Sequence, residues 1–407
     1  MRILWLRADY LFPLTTGSRI RSYSLLSRIC GENELAYFGF HSPSTTGLGD
    51  EITHCVGKVQ TLPKEVEKTT GGDVYFRVAA NLLTAHPYFT RRNRSSELTA
   101  RVSAYVKEHR PDVIVCDGLD SSLNIDFGMN IPTALYHHSI ETHLWHQRYE
   151  TATGSLQRSY FNYETKRMAA FESDMCNRFD LIITSSARDT EALKREFNVR
   201  KPISVVPIGV DCTYFRPDPL YQVVPRRLVF SGRMDLLSNI DQLLWFVSEI
   251  YPLVKRQYPD ISFVIAGRDP ASEIVTLGQS DPSITVTGSI DDIRPFVASA
   301  DIYVVPLRVP GGTRVKLYEA MALKRPIVST SHGCDGLEVV PNRDLLVADT
   351  PRDFAQAIIS LLSDQHRKEA LAEQGWRLVN RQCDWSIRAA QFLERLQSLA
   401  DSAKRSL

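Results

Sequence analysis

The segment PLRVPGGTRVKLYEAMALKRPIVST, residues 306–330, decides the fold class of this chain. An apolar strand is predicted to end at Pro306, and a helix is predicted to begin near Arg314 with Thr313 as its N-cap. A second apolar strand follows the helix. A strand, a loop, a helix and a further strand form the repeating unit of a parallel sheet that is covered by helices. The segment therefore predicts an α/β fold.

The loop of this unit has the features of a phosphate site. Free backbone N–H groups and the positive end of the helix dipole lie at a helix start, where they attract an anion. Gly311 and Gly312 let the backbone approach a diphosphate closely, and Arg314 and Lys316 add positive charge nearby. The alternative is an ordinary strand–turn–helix connection, in which the Gly-Gly pair serves only the turn.

Glu319 is the unusual residue of the following helix, because its neighbours in sequence are apolar. A buried carboxylate is unfavourable unless it accepts hydrogen bonds or pairs with a cation. The ribose hydroxyls of a nucleotide would supply such donors. An i, i+3 ion pair with Lys316 would satisfy the carboxylate equally well, so both interpretations stay open.

Short apolar runs and amphipathic stretches alternate over the rest of the chain, which is the pattern of parallel sheets covered by helices. Residues 41–95 lack a clear pattern, and one long helix is predicted at Ile240–Arg256. Strands are predicted at Ile3–Leu6, Leu35–Phe40, Val113–Cys116, Thr133–Tyr136, Leu181–Thr184, Ile203–Val206, Arg227–Phe230, Phe263–Ala266, Ile284–Thr287, Ile302–Val305, Ile327–Ser329 and Leu345–Val347.

The stretch PIGVDCTYFRPDPLYQVVP, residues 207–225, separates the two halves. Its four prolines and one glycine break regular structure and predict an interdomain connection. Open α/β sheets bind ligands at the carboxyl ends of their strands. Two such domains therefore place their binding edges across a cleft, a layout that several classes of enzymes and binding proteins share.

Length, charge and composition limit the function further. The 407 residues suit two domains, and 43% hydrophobic with 23% charged residues is typical of a soluble globular protein. The formal charge of +1 provides no global field for nucleic acid. The seven cysteines form no CxxC pair, which indicates buried thiols in a reducing compartment.

Targeting signals are not apparent in the sequence. The N-terminal run MRILWLRADYLF contains charged residues and predicts a first β-strand rather than a secretory signal. No uncharged apolar run approaches the roughly 18 residues that a membrane-spanning helix needs. We therefore expect a cytoplasmic protein.

A family resemblance is carried by VVPIGVDCTYFRP (205–217), VFSGRMDLLSNIDQLLWF (229–246), VIAGRDP (264–270), ITVTGSIDDIRPFVASADIYVVP (284–306) and the helix segment quoted first. These runs strongly resemble the family 4 glycosyltransferases, above all bacterial sugar transferases of surface-polysaccharide pathways. In the first half PLTTGSRIRSYSLLSRI, HPYF, PTALYHHSIE and RFDLIITSSARD resemble family segments in the same order.

The resemblance implies the GT-B fold, in which two Rossmann-like domains face a cleft and the C-terminal helix crosses back to the first domain. It assigns residues 1–206 to an acceptor-binding domain, 207–225 to a linker and 226–383 to a nucleotide-sugar-binding domain. Residues 384–407 would form the returning helix. Family members retain the anomeric configuration of the donor sugar.

Carried over by position, Glu319 matches the second glutamate of the family's Glu-x7-Glu motif, which binds ribose. The first glutamate would fall at Gly311, which leaves open which group contacts the hydroxyls of the donor sugar. Arg233 matches the arginine that grips the diphosphate. The lysine expected after it is replaced by Asn239. We infer that Arg314 or Lys316 supplies the missing charge.

The remaining predicted site residues also follow from the resemblance. Gly17 matches a glycine that lets the first loop lie close to the donor phosphates, and His138 matches a histidine that faces the transferred sugar. The adjacent His137 is an alternative candidate for the sugar-facing histidine. For both residues the other interpretation is a hydrogen-bonded histidine of the core. Gly288 and Ile290 complete the predicted donor site, together with Gly311, Gly312, Thr313 and Arg314.

A metal or other cofactor is not expected. Metal-dependent glycosyltransferases typically hold their divalent cation with a D-x-D pair, and this sequence contains none. Arg233, Arg314, Lys316 and a helix dipole would neutralise the leaving diphosphate instead. The spacing of His and Cys residues does not indicate zinc.

The predicted reaction is transfer of a hexosyl unit from a UDP- or GDP-sugar to a hydroxyl of a glycan or lipid-linked saccharide. The basic cluster Arg91, Arg92 and Arg94 is either a solvated face or a peripheral contact with anionic lipid at the inner membrane face. Two alternative functions stay open. One is a nucleotide-sugar epimerase on the same fold, and the other is an inactive nucleotide-binding partner subunit.

Overall fold

A computed structural model describes residues 1–31, 33–43, 56–65, 80–81, 84, 86–309 and 315–405. The chain divides into two compact units. The first comprises Met1–Pro207 together with Arg388–Leu407, and the second comprises Ile208–Ile387. Residues 208–225, which the sequence analysis assigned to a linker, therefore group with the second unit.

The first unit is built on a parallel sheet of seven strands in the order β3-β2-β1-β4-β5-β6-β7. All strand pairs in this sheet are parallel. The strands are β1 Arg2–Tyr10, β2 Glu34–His41, β3 Lys58–Pro63, β4 Val113–Asp117, β5 Thr133–His137, β6 Leu181–Thr184 and β7 Ile203–Val205. The chain reverses its direction of winding between β1 and β4, so their carboxyl ends flank a topological switch point.

Helices connect these strands, as the apolar periodicity of a βαβ pattern predicts. They are α1 Gly17–Ile29, α2 Tyr88–Arg91, α3 Ser96–His109, α4 Glu141–Thr151, α5 Ser155–Cys176 and α6 Ala187–Glu196. Short 3₁₀ helices cover Leu119–Asn124 and Phe127–Met129. The side chains of Thr16, Ser95 and Ser186 accept hydrogen bonds from backbone N–H groups at the starts of α1, α3 and α6, as N-cap residues do.

The second unit repeats the plan with six parallel strands in the order β10-β9-β8-β11-β12-β13. They are β8 Arg227–Ser231, β9 Ser262–Ala266, β10 Ile284–Val286, β11 Ile302–Val305, β12 Ile327–Ser329 and β13 Leu346–Val347. Here the switch point lies between β8 and β11. All twelve predicted strands are present, and among the described residues β3 is the one further strand, which the sequence analysis missed.

The helices of the second unit include one departure from prediction. The long helix predicted at Ile240–Arg256 is α7 Leu237–Trp245, a π-helical turn at Phe246–Ile250 and α8 Tyr251–Gln257. The others are α9 Ser272–Ser280, α10 Arg294–Ala298, α11 Val315–Ala322, α12 Ser331–Cys334, α13 Pro351–Ser363 and α14 Gln365–Leu378, with a second π-helical turn at Val379–Cys383.

The last helix, α15 Trp385–Arg405, joins the first unit from Arg388 onward. Phe392 packs against Trp5 and Tyr136, with ring centroids 5.6 and 5.2 Å away. Lys404 Nζ lies 3.0 Å from Asp112 Oδ1. These contacts confirm the predicted return of the C-terminal helix to the first domain.

Candidate functional site

The carboxyl ends of β8 and β9 approach each other through two glycines. Gly267 has a φ of +146°, and a Cβ atom at this position would lie 1.8 Å from the carbonyl oxygen of Gly232. Only glycine fits such an approach. The backbone N–H of Gly232 donates to Ala266 O at 3.0 Å, which holds the two strand ends together. We call this close backbone contact between Gly232 and Gly267, beside the switch point of the second unit, the ledge.

Lys316 of α11 reaches this ledge. Its Nζ donates to Ser231 O at 3.2 Å and lies 4.1 Å from the ring centroid of Phe230. A Cβ atom on Gly232 would lie 3.5 Å from the same Nζ. Within the described part of the chain, Ser231 O is the one acceptor for the three N–H donors of this ammonium. Burial lowers the pKa of Lys316 to about 7.

Glu319 lies one turn further along α11. Burial raises the pKa of its carboxyl group to about 7, and the nearby Lys316 opposes that shift. The two side chains do not form the salt bridge that the sequence left as an alternative. Among the described residues, no group donates a hydrogen bond to the Glu319 carboxylate. Within the described ranges, a partly buried carboxylate and a partly buried ammonium on α11 therefore both have unused hydrogen-bonding capacity.

Arg233 and Asn239 complete this region. The Arg233 guanidinium is 42% exposed and pairs with Asp235, with Nε 3.0 Å from Oδ1. Asn239 Nδ2 donates to the backbone carbonyl of Arg233 at 2.6 Å, so this side chain holds the loop in place. A Cβ atom on Gly232 would lie 3.1 Å from Asn239 Nδ2. Asn239 and Lys316 therefore converge on the same position beside Gly232.

Of the other predicted donor residues, Gly288 and Ile290 follow β10 at the edge of the same sheet. Gly288 has a φ of +68°, a left-handed conformation that favours glycine. The hydroxyl of Thr287 accepts from Gly267 N at 3.2 Å and donates to Gly288 O at 2.9 Å, which ties this loop to the ledge. Gly311, Gly312, Thr313 and Arg314 lie outside the described residues.

In the first unit, Gly17 is the first residue of α1, directly after the loop that follows β1. Its carbonyl accepts from Arg21 Nε at 3.2 Å, and Arg21 Nη1 donates to His138 O at 3.1 Å. One buried arginine therefore connects the predicted phosphate loop to the predicted sugar-facing histidine.

The His138 side chain lies in a polar network at the carboxyl ends of β4 and β5. Its Nε2 is 2.5 Å from Asp117 Oδ1. Burial lowers the pKa of His138 to about 4, and the charges of Arg21 and Arg7 act in the same direction, against the attraction of Asp117. His138 is therefore neutral at physiological pH.

His137 occupies a different environment. Its Nε2 is 2.9 Å from Glu172 Oε1, and both side chains are buried. Glu172 also accepts the backbone N–H groups of Glu141 and Thr142 at the start of α4, each at 3.0 Å. His137 thus belongs to a core cluster that anchors a helix terminus.

Sequence reasoning missed the residues around His138, above all Arg7 and Asp117. Arg7 Nη1 lies 3.1 Å from Asp117 Oδ2, and both side chains are buried. The available signal was a charged residue within each of two apolar strands, in LWLRADY and VIVCD. Buried charges occur in pairs or in hydrogen-bonded networks, so such residues mark a polar site inside the core.

The basic cluster Arg91, Arg92 and Arg94 lies at the end of α2 and just after it, and the Arg92 guanidinium stacks 5.0 Å from the Phe89 ring centroid. Its contact with a membrane stays a prediction. None of the helices in the described ranges is long and apolar enough to cross a bilayer. Across the same ranges, no group of three or more His, Cys, Asp or Glu side chains is arranged to hold a metal ion.

The chain matches two family models. Residues 59–214 match the Glycosyltransferase Family 4 model, and residues 225–364 match the Glycosyl transferases group 1 model. A curated relative is the GDP-mannose-dependent alpha-(1-6)-phosphatidylinositol monomannoside mannosyltransferase of Mycobacterium tuberculosis, which is 26% identical over 247 residues. The match covers 56% of this chain and 63% of the relative, so it spans less than two thirds of that protein.

Solved structures share the fold over almost the whole chain. Sucrose-phosphate synthase from Thermosynechococcus elongatus superimposes with a TM-score of 0.70 at 18% identity, covering 98% of this chain and 99% of that chain. The Anabaena protein HepE in complex with UDP superimposes with a TM-score of 0.64 at 14% identity, covering 98% and 100%. Together, the two family models and the two parallel sheets establish that this chain belongs to the family 4 glycosyltransferases and has the GT-B fold.

Proposed function

We propose that the protein is a retaining glycosyltransferase that moves a hexosyl unit from a UDP- or GDP-sugar to a hydroxyl of a glycan or lipid-linked saccharide. The observation that carries the proposal is the Lys316 ammonium beside Gly232, for which the described residues supply a single backbone carbonyl as acceptor. A buried cation without a counter-ion is unfavourable. A diphosphate at this ledge would supply the missing negative charge and accept the remaining N–H donors.

The nucleoside half of the donor is assigned to Glu319. Its carboxylate would accept hydrogen bonds from the ribose hydroxyls, which would stabilise the ionised form against the burial that raises its pKa. Arg233, whose guanidinium is 42% exposed, would exchange its contact with Asp235 for the diphosphate. The mycobacterial relative is named for GDP-mannose, and the Anabaena protein was solved with UDP. Both support a nucleoside diphosphate sugar as donor.

In the proposed reaction the bond between the anomeric carbon and the phosphate oxygen breaks. The acceptor hydroxyl oxygen forms a new bond to that carbon on the same face, and its proton passes to the leaving phosphate. Lys316 and Arg233 stabilise the negative charge that develops on the diphosphate, in a preorganised way that requires no metal. His138 would contact the transferred sugar, and Gly17 would let the loop after β1 lie against the phosphates.

The acceptor side rests on the first unit. The Arg91–Arg94 cluster would hold the protein at an anionic lipid surface while it works on a lipid-linked saccharide. We assign the protein to the cytoplasm, at the inner membrane face, and to polysaccharide synthesis.

A thermal-shift screen against UDP, GDP, ADP and dTDP tests the donor site. A ligand present at 100 times its Kd stabilises the native state by about 2.7 kcal/mol. We expect UDP or GDP to raise the melting temperature most. If none of the four nucleotides shifts it, the donor site is wrongly assigned.

Assays of nucleotide-sugar consumption, with and without an acceptor, then distinguish the candidate functions. A transferase consumes the matching nucleotide sugar only when an acceptor is present. An epimerase would convert the donor alone, and an inactive subunit would bind the nucleotide without cleaving any donor. Either of these last two results would refute the proposed reaction.

A further inference from the structure

The Asp117 carboxylate ends β4 at the switch point of the first unit and is completely buried. Four side chains donate hydrogen bonds to it: Trp5 Nε1 to Oδ2 at 2.9 Å, Arg7 Nη1 to Oδ2 at 3.1 Å, Ser22 Oγ to Oδ1 at 3.0 Å and His138 Nε2 to Oδ1 at 2.5 Å. Although burial opposes ionisation, Arg7 and His138 hold the pKa of Asp117 well below its usual value. The carboxylate is therefore ionised and can only accept hydrogen bonds.

The state of the His138 ring follows from this bond. Because the Asp117 oxygen cannot donate, His138 Nε2 must carry the proton. The ring as a whole is neutral, since burial and the charges of Arg7 and Arg21 disfavour the imidazolium. A neutral imidazole has one N–H, so Nδ1 has a free lone pair. Nδ1 is buried and has no hydrogen-bond partner among the described residues.

We propose that Asp117 is a positioning residue: it fixes His138 as the neutral Nε2–H tautomer, so that Nδ1 accepts a hydrogen bond from a hydroxyl of the transferred sugar. This inference rests on the proposed function, because it takes a sugar as the ligand of His138. A carboxylate that selects the tautomer of a functional histidine is an established device in proteins.

The surroundings of Asp117 support a positioning role. Three of its four donors, Trp5, Arg7 and Ser22, come from β1 and α1, the two elements that flank the predicted phosphate loop with Gly17. Arg7 Nη1 additionally donates to Ser22 Oγ at 2.8 Å, so two of the donors to Asp117 are also hydrogen-bonded to each other. Arg21 holds the backbone carbonyl of His138 at 3.1 Å. The ring and the backbone of His138 are thus both fixed by groups beside the loop after β1.

The substitution Asp117→Asn tests the proposal. The asparagine amide can donate to Nε2, which allows the Nδ1–H tautomer and removes the acceptor at Nδ1. Long-range ¹H–¹⁵N correlation spectra of histidine-labelled protein report the tautomer, and the spectrum of His138→Gln identifies the signals of His138. We expect the wild type to show the Nε2–H form between about pH 6 and 8.

In Asp117→Asn we expect a mixture of tautomers and a fall in kcat of about 10- to 100-fold, the usual consequence of one lost hydrogen bond in a buried site. The Kd for the nucleoside diphosphate should change far less than kcat, because the charged groups proposed to bind the nucleotide, Arg233, Lys316 and Glu319, all belong to the second unit. The matched control is Glu196→Gln. Glu196 pairs with the exposed His143 at 2.7 Å, so this variant should change only the signals of His143 and leave kcat unaltered.

An Nδ1–H or imidazolium form of His138 in the wild type would overturn the proposal, as would wild-type kcat in Asp117→Asn. If Asp117→Asn does not fold, His138→Gln takes its place. The glutamine amide can still donate to Asp117, so we expect this variant to melt near the wild-type temperature. Because the variant lacks the Nδ1 acceptor, its kcat should fall to a similar degree. Full activity in that variant would refute the role of Nδ1. Failure of the proposed function would appear in a different measurement, because the wild type would then bind no nucleotide. The tautomer of His138 can be measured in either case.

Discussion

Replacing Lys316 by methionine should have opposite effects on ligand binding and on stability. The substitution keeps an unbranched side chain of similar length and removes the ammonium, which lies 4.1 Å from the Phe230 ring centroid and whose one hydrogen-bond acceptor among the described residues is Ser231 O, at 3.2 Å. If that ammonium serves the donor diphosphate, the variant loses a charge-assisted hydrogen bond to the ligand. At the same time, the folded protein no longer has to bury a poorly compensated cation.

The binding loss can be estimated from the usual strength of such contacts. A hydrogen bond to a charged group contributes about 1.5–3 kcal/mol. We therefore expect the Kd for the nucleoside diphosphate to rise by roughly 10- to 150-fold. The wild-type affinity should also fall as the pH rises above about 7, where the Lys316 ammonium loses its proton. The affinity of the variant should lack this dependence.

The stability of the folded protein should increase in Lys316→Met, although its nucleotide binding weakens. The pKa of Lys316 falls from 10.5 to about 7 on folding. At 1.36 kcal/mol per pKa unit, burial of the ammonium destabilises the native state by about 5 kcal/mol when the group is fully charged, and by about 4 kcal/mol at pH 7, where half of the native molecules carry a neutral Lys316. The unfolded chain binds more protons between these two values, so wild-type stability rises with pH from about 7 to 10.5 through this group. Lys316→Met should be more stable at pH 7 and should lose that rise.

The assay pairs isothermal titration calorimetry with melting curves, for the nucleotide that the thermal-shift screen selects. Lys255→Met is the matched control, since Lys255 lies on α8 and pairs with Asp281 at 2.8 Å. It should leave the Kd unchanged. Because Asn239 converges with Lys316 on Gly232, adding Asn239→Lys to Lys316→Met should restore part of the affinity. Wild-type affinity in Lys316→Met would refute the assignment of the diphosphate to this ledge.

Three further predictions concern the same donor site. Glu319→Gln should keep the fold but weaken nucleotide binding by about 1–2 kcal/mol, because a neutral acceptor replaces a charged one; a lowered melting temperature with intact Kd would instead show a structural role. Arg233→Ala should weaken diphosphate binding by about 1.5–3 kcal/mol, and an unchanged calorimetric Kd would remove Arg233 from the site. Activity should persist in excess EDTA, and a complete loss that Mn²⁺ restores would show that the reaction depends on a metal.

The local pattern of the sequence was sufficient to predict most of the architecture. Each strand of a parallel sheet is a short apolar run followed by turn residues, and these signals lie within about ten neighbouring residues. β3 escaped prediction because Lys58–Pro63 mixes polar and apolar residues and is only partly buried at the sheet edge. The π-helical turn within Ile240–Arg256 was also missed, because apolar spacing does not distinguish it from a continuous helix.

The sequence alone also identified Lys316 and Glu319 as a pair of unusual charges on one helix, since their spacing places them on the same face. It could not decide between a salt bridge and a ligand site. The structure excludes the salt bridge through the position of Gly232, which lies 84 residues before Lys316 in the chain and reaches it through the pairing of β8 with β11, and the ligand site stays a prediction. The pairing directs the ammonium to a backbone ledge instead of to Glu319.

The choice between His137 and His138 likewise depended on tertiary structure. Adjacent residues of a strand point to opposite faces of the sheet. His137, the last residue of β5, contacts Glu172 of α5, and His138, which directly follows the strand, contacts Asp117 of β4. Which histidine meets which carboxylate is set by the order of strands and helices in space. Residue types along the chain determined that these charged groups exist, and only the packing of distant segments determined which of them are paired with each other in the described part of the chain.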